Sequence, residues 1–373
     1  MPQELYDLTA ELLGKPWVSD VHITVGEPVW TRTSGVLERT GDVAVDDMTM
    51  RTFLTRLDDR LLSDPEDAIK RAQSGRGDAC SYRSGYDFGA ALAGRRCRCN
   101  LSLANGGSLS MVIRHLNEDV PEFSTLGLPD HVLKQTENST GLILVTGPTG
   151  SGKSTTLASL LNHVNQAQHK HILTVEDPVE YLLPRGRCKV TRKEIGRDAL
   201  SFIAALRAAM RQDPDIIMVG EIRDVDTMRA ALAAAETGHL VFATLHTTSA
   251  AKTVDRVSSF FPPEEKAWAN SVFSTVFKCV ISQALVPSAD GKGRVLAHEI
   301  MSGSPDVRNN IKEGKINLIS NSLSQGGDHG HVLMNRCLAS MVRDNRITKD
   351  DALAHAYDRE GLKKDLQLLG GRS

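Results

Sequence analysis

Apolar positions in the first third of the chain follow two periods. Over residues 5–13 they recur at helical spacing, with Leu5, Leu8, Leu12 and Leu13 on one side. Residues 21–25, 29–32 and 36–39 read instead as strands, and 48–57 as a second amphipathic helix. Residues 86–103 and 109–114 then form two arms around Asn105-Gly106-Gly107, an Asn-Gly step of the kind that closes hairpins. On the first arm, alternation puts Arg96, Arg98 and Asn100 on one face and Cys97, Cys99 and Leu101 on the other.

The stretch 119–129 carries two prolines and a glycine with little periodicity and reads as a linker. Beyond it, apolar runs at 142–145, 171–175, 216–219 and 237–246 alternate with helical patterns at 157–164 and 199–211. Such alternation marks a mostly parallel sheet with helices on both sides. Residues 269–285 read as an amphipathic helix interrupted by Lys278, 295–301 as a strand, and 311–369 as short helices before a disordered terminus at 370–373. The expected organisation is a smaller α+β domain over 1–118, a linker over 119–129, and an α/β domain over 130–373.

Composition agrees with two domains. A chain of 373 residues exceeds one ordinary domain, and 40% hydrophobic content suffices for two cores. With 44 basic and 46 acidic residues the formal charge is -2, so no global field draws the chain to nucleic acid or an anionic membrane. The first residues lack a basic region followed by an apolar core, and no run of about 18 apolar residues occurs, so a cytoplasmic, non-spanning protein is expected. The six cysteines (Cys80, Cys97, Cys99, Cys188, Cys279 and Cys337) are scattered and read as reduced thiols. His329 and His331 are a lone pair in a polar turn, weak grounds for a metal.

Candidate chemistry begins where the run 142–145 meets Gly147, Pro148, Thr149, Gly150, Ser151, Gly152, Lys153, Ser154 and Thr155. Strand, glycine-rich turn and helix in that order make a phosphate cradle: backbone N–H groups converge on an anion at a helix N-terminus. Lys153 is then expected on the β/γ-phosphates of ATP and Ser154 on Mg²⁺. Ligands of such sheets bind at the carboxyl ends of strands. Glu176, directly after its strand, is therefore the candidate to orient or deprotonate the attacking water, with Asp177 and Glu180 as alternatives; all three also fit a plain solvated loop.

The strand at 216–219 has acids at both ends, and Asp215 and Glu221 lie about 20 Å apart at strand spacing. Only Glu221 reaches the phosphate side, where it would hold the Mg²⁺ water shell. Arg223 and Asp224 follow it without a role that spacing fixes. His239 and His246 are likewise separated by about 23 Å, which makes His246 the candidate γ-phosphate sensor and leaves His239 to folding or a subunit contact. Arg96, Arg98 and Arg114 fit a solvated basic face or, beside a triphosphatase, arginines that stabilise charge on a transferring phosphoryl group.

In sequence, GPTGSGKST, VEDPVEY, DPDIIMVGEIRD and TGHLVFATLHT resemble the Walker A, Asp box, Walker B and His box of the type II/IV secretion ATPases, the GspE/PilT superfamily. The PilT-like retraction ATPases are the subgroup most resembled, with Ser19–His22, the stretch 93–100, Asp255-Arg256 and Phe261-Pro262 similar to further signatures. The resemblance implies a PAS-like N-terminal domain, a RecA-like ATPase domain, a homohexameric ring with nucleotide between the two domains, and partners in a pilus or secretion machine at the inner membrane. It carries Glu176 over as catalytic glutamate, Glu221 as the Walker B acid, His239 and His246 as the His-box pair, and Arg96, Arg98 and Arg114 as phosphate-facing arginines.

Two departures bear on the biological role. The chain lacks the four-cysteine insertion and longer N-terminal region of extension-type and type II secretion members. Where retraction members carry a motif similar to Ala-Ile-Arg-Asn-Leu-Ile, it has Asp306-Val307-Arg308-Asn309-Asn310-Ile311. This altered stretch keeps the related type IVB secretion and conjugation ATPases in consideration. Two other readings stand beside the motor: a RecA-like nucleic-acid motor, opposed by the charge balance and the 5% aromatic content, and a nucleotide-gated assembly factor with little turnover. Direct nucleic-acid binding is not expected.

Overall fold

The helical spacing of residues 5–13 produces α1 (Pro2–Leu13) in the computed structural model, which describes residues 2–33, 35–58, 61, 65–74, 85–116, 119–325 and 330–370. Cys80, His329 and the end of the tail at 371–373 lie outside the described residues. β1 (Val18–Thr24), β2 (Val29–Thr33) and β3 (Val36–Thr40) follow, then α2 (Asp47–Leu57), α3 (Pro65–Ser74), β4 (Gly85–Leu92), β5 (Arg95–Ala104) and β6 (Ser108–His115). The start of α2 is fixed by Asp46, whose carboxylate accepts from the Thr49 amide at 2.8 Å and the Thr49 hydroxyl at 2.7 Å.

The six strands form an antiparallel sheet in the order β3-β2-β1-β6-β5-β4. Val21, Ile23, Leu101, Met111 and Ile113 are buried in one core with Leu12, Phe53 and Leu54 from the helices. The alternation along β5 is as read: Cys97, Cys99 and Leu101 are buried, while Arg96, Arg98 and Asn100 occupy the half-buried face. One correction is needed here. Residues 86–103 are two strands rather than one arm, joined at Ala93 and Gly94, whose φ values of 49° and 81° make a tight primed turn. Alanine carries no preference for that conformation, so the turn is hidden in the pattern.

The second sheet is built from β7 (Gly141–Thr146), β8 (His171–Glu176), β9 (Lys189–Glu194), β10 (Ile216–Val219), β11 (Leu240–Leu245), β12 (Phe277–Pro287) and β13 (Arg294–Ser302), in the order β13-β12-β7-β11-β10-β8-β9. β12, β7, β11, β10 and β8 run parallel, and β13 is antiparallel to β12. β7, β10 and β11 are buried at every position, the environment that requires their unbroken apolar runs. The connecting helices are α4 (Lys153–Ala167), α5 (Phe202–Ala209), α6 (Val225–Glu236), α7 (Ala250–Ser259) and α8 (Lys266–Val276). Five more follow: α9 (Pro305–Lys312), α10 (Ile316–Gln325), α11 (Met334–Arg343), α12 (Lys349–His355) and α13 (Arg359–Gly370).

Residues 269–285 are therefore not one helix. α8 stops at Val276 and β12 begins at Phe277, because the stretch there, apolar but for Lys278, Ser282 and Gln283, inserts between β7 and β13 and is buried on both faces. Periodicity alone does not separate a buried strand from a buried helix in such a run. Nor is the stretch 119–129 a bare connector, since Phe123 and Leu128 are buried in a core with Ile143, Val145 and Leu157. By contacts the chain forms two units, one of Met1–Asp119, Glu176–Leu182 and Lys193–Ser201, the other of Val120–Val175, Leu183–Arg192 and Phe202–Ser373.

Across the first sheet, Arg114 on β6 faces Asp20 on β1 and donates from Nε to Oδ1 at 2.7 Å. Burial pushes the Asp20 carboxyl up, but hydrogen bonds from Arg114 and Ser19 overcome it and hold the group below its ordinary value. A depressed folded pKa adds stability that is complete above the unfolded value and is lost as pH falls through the folded one. Asp20→Asn is expected to be less stable than wild type at neutral pH, with the gap closing below about pH 4. Urea unfolding followed between neutral pH and about pH 3 checks this; a gap that stays constant would show that the carboxylate charge plays no part.

Candidate nucleotide site

β7 ends at Thr146, and the chain turns through residues 147–152 before α4 begins at Lys153. The turn needs glycine twice over. Gly147 has φ of 148°, and a Cβ there would sit 2.3 Å from the Gln283 carbonyl oxygen and 2.5 Å from Ser151 Oγ. Gly152, with φ of 86°, caps α4 in a left-handed conformation. Pro148, Thr149 and Gly150 form the exposed crest, while Ser154 and Thr155 open the helix half-buried. Lys153 curls over the turn, its Nζ donating to the Gly147 carbonyl at 2.9 Å and the Pro148 carbonyl at 3.0 Å. Ser151 Oγ is buried with no hydrogen-bond partner. A loop of this shape presents backbone donors and an ammonium at the positive end of a helix, a setting made for polyphosphate.

The acid of the site comes from the next strand but one. β10 and β11 are parallel neighbours with Val219 opposite Ala243, so the residues just past their carboxyl ends emerge together. Glu221 accepts from Arg223 at 2.7 Å through Oε2, and its Oε1 lies 2.9 Å from His246 Nε2. Burial pushes the Glu221 carboxyl up, yet the hydrogen bond and charge of Arg223, with the charges of His246 and Lys153, hold it below the usual glutamate range. The opposite end of the sheet is occupied by the residues that strand length places there. Asp215 accepts from the His171 amide at 2.7 Å, and His239 Nδ1 lies 3.0 Å from the Ala234 carbonyl oxygen.

Glu176 closes β8, buried, with Oε2 accepting from the Glu180 amide at 3.2 Å; the Asp177–Pro178 peptide that follows is cis. Arg96 donates to the carbonyls of Val179 at 2.7 Å and Glu180 at 3.1 Å, and Arg98 lies 3.9 Å from the Glu180 carboxylate. Arg98 and Arg114 are directly opposed across β5 and β6, a like-charge pair that Glu180 and Asp20 relieve from either side. The basic face is thus tied to the segment that carries Glu176.

Several polar groups around the loop escape a motif reading. Gln283 on β12 is fully buried and donates from Nε2 to the Ser151 carbonyl at 2.8 Å, and its Oε1 has no partner. Beside it, Ser282 Oγ lies 2.7 Å from Thr146 Oγ1, which is 3.5 Å from Thr253 Oγ1, itself 2.7 Å from Thr247 Oγ1. This hydroxyl chain joins the root of the phosphate loop to the residue after His246. Its one trace in the sequence is Ser282-Gln283 interrupting the apolar run of β12, visible only once that run is read as a strand. His331 is engaged locally, its Nδ1 accepting from the Ser302 amide at 3.2 Å.

Gly147→Ala is expected to weaken ATP binding at least tenfold, about 1.4 kcal/mol, because the new methyl group collides with backbone on one side and the loop on the other. Titration with a fluorescent ATP analogue measures it, and unchanged affinity would mean that this loop is not the phosphate cradle. Gln283→Ala, which removes one anchor and leaves the loop its room, should produce a smaller loss.

Comparison with known proteins bears on the family and the fold. The family described as type II/IV secretion system protein matches residues 98–350. The type IV pilus retraction ATPase PilT of Pseudomonas aeruginosa is 40% identical over 340 residues, which are 91% of this chain and 94% of that protein. A crystal structure of the pilus retraction motor PilT with bound ADP superposes with a TM-score of 0.83 at 35% identity, over 96% of this chain and 99% of that one. The X-ray structure of the Legionella pneumophila ATPase DotB gives 0.72 at 27% identity, over 95% of each chain. With the phosphate loop, the acid and the histidine in place and relatives matched along nearly their whole length, the chain belongs to the type II/IV secretion system protein family, among its PilT-like ATPases.

Proposed function

We propose that this ATPase is the subunit of a homohexameric motor that drives a type IV pilus, a type IVB secretion system or a conjugative transfer machine from the cytoplasmic face of the inner membrane. The observation that carries the reading is the Glu221 carboxylate, held between Arg223 and His246 within the field of Lys153. A carboxylate kept ionised beside a phosphate loop suits hydrolysis of a phosphoanhydride. In it, water attacks the γ-phosphorus, the bond to the β-phosphate oxygen breaks, and a proton leaves the water.

Each residue takes one part of that reaction. The loop amides and Lys153 hold the β- and γ-phosphates, and His246 reports on the γ-phosphate. Glu176 orients the water or takes its proton; Arg96, Arg98 and Arg114 answer the charge on the transferring group. The Ser154 hydroxyl and the Glu221 carboxylate are hard oxygen donors that fit Mg²⁺, directly or through water. When bound, Mg²⁺ neutralises charge on the phosphate oxygens.

Among the described residues no helix is long and apolar enough to cross a membrane; the proposed attachment to the inner membrane runs through protein partners of the machine. α9 indicates where such a partner surface departs from that of retraction motors. Val307 and Ile311 are buried and Arg308 caps the Gly303 and Thr275 carbonyls at 2.8 Å each; of the two positions where a polar residue replaces an apolar one, Asp306 is exposed and Asn310 is half-buried and bonded to Ser322, while Asn309 is common to both motifs.

Glu221→Gln is expected to lower ATP turnover at least tenfold, about 1.4 kcal/mol of transition-state stabilisation, while light scattering with nucleotide still records a ring-sized particle. A wild type that stays monomeric and inert at every concentration would sink the motor reading in favour of a nucleotide-gated assembly factor. Turnover strongly stimulated by single-stranded DNA would point to a nucleic-acid motor instead.

A further inference from the structure

Glu299 is a buried carboxylate on β13 that none of the steps above uses. Its two oxygens serve two different helices: Oε1 accepts from the Ala250 amide at 2.7 Å and Oε2 from the Met334 amide at 3.4 Å. Ala250 and Met334 are the first residues of α7 and α11, neither of which has an acidic residue in its own first turn. A single carboxyl group therefore meets the positive ends of two helix dipoles. Burial raises the carboxyl against the opposing pull of those amides.

The position of α7 matters because the segment leading into it begins at His246. Ser249 caps the helix, and the Thr253 hydroxyl in its first turns donates to the Ser249 carbonyl at 2.8 Å while reaching Thr247 at 2.7 Å. On the β13 side, Glu299 stands in register with Ser282, whose hydroxyl meets Thr146 at the root of the phosphate loop. Residues 246–250 are thus pinned at both ends, by Glu221 on His246 and by Glu299 on Ala250.

We infer that Glu299 is a positioning residue for hydrolysis: by fixing the first amide of α7 it sets where His246 stands against Glu221, and by holding α11 with the same carboxylate it ties that placement to the C-terminal helices. Its bonds go to the starts of α7 and α11 and not to the phosphate loop, so its removal acts on turnover and not on binding. The inference rests on the assignment of His246 to the hydrolytic site.

A double-mutant cycle between Glu299→Gln and His246→Ala on the full chain tests it. A carboxamide cannot satisfy both helices, because Glu299→Gln supplies one acceptor oxygen and turns an NH₂ toward the other N–H. In the presence of His246, Glu299→Gln should lower kcat about threefold to tenfold with KM for ATP changed less than about twofold; in the His246→Ala background its effect should fall below about twofold. Amide hydrogen exchange should quicken over residues 247–250 and stay unchanged over 147–152. Equal losses in both backgrounds, no loss beside His246, or faster exchange spread evenly over the whole unit would overturn the inference. If His246→Ala itself leaves turnover untouched, the assignment of His246 fails, a result distinct from failure of the coupling. Should Glu299→Gln not fold, Glu299→Asp, which keeps the charge but is too short to serve both amides, takes its place in the cycle, and the same exchange readout decides.

Discussion

The contact on which most of the second unit depends is the approach of Gly147 to the backbone of β12. Only a residue without a side chain fits against the Gln283 carbonyl, and only a strand running parallel beside β7 puts that carbonyl there. The phosphate loop is consequently not a free-standing motif. It is braced from the flank by Gln283 on Ser151 and by Ser282 on Thr146, and β12 is in turn backed by β13. The charged groups follow from the other flank, where parallel registry of β11 and β10 delivers His246 and Glu221 side by side.

Sheet polarity decides which of the repeated residue types can share in chemistry. Two acids border β10 and two histidines border β11, yet a parallel strand has one chemical end and one structural end. Asp215 spends its carboxylate on the His171 amide, and His239 turns back to the helix that precedes it. Their partners across the strand are left to face the loop. Burial pushes the Glu221 carboxyl up, and the hydrogen bond and charge of Arg223, with smaller contributions from His246 and Lys153, outweigh that tendency.

Much of this was legible in the chain itself. The strands at 142–145, 171–175 and 216–219, the phosphate loop and the split between near and far acids needed only periodicity and the rise per residue. Failures had specific physical causes. The turn at Ala93-Gly94 uses a residue with no turn signature, and β12 follows α8 with no turn residue between them and only Lys278 breaking the apolar pattern, so its strand character appears in its burial between two neighbours. Phe123 and Leu128 lie among prolines that suggest a loose connector, though both are core residues. Gln283, Ser282 and Glu299 act through contacts more than a hundred residues away in sequence or across a helix end, and no spacing rule reaches them.

The interleaved path of the chain has a consequence for how the protein can be taken apart. The backbone passes between the two units near residues 119, 175, 182, 192 and 201 instead of crossing once. Arg96 and Arg98, early in the chain, hold the Val179 and Glu180 stretch that emerges from β8 much later. A fragment cut after the sixth strand would lose those partners, and the remainder would display a severed binding surface for them. The first unit is thus no detachable module: in inheritance, as in any recombination of such chains, it can be exchanged only together with the segments that return to it.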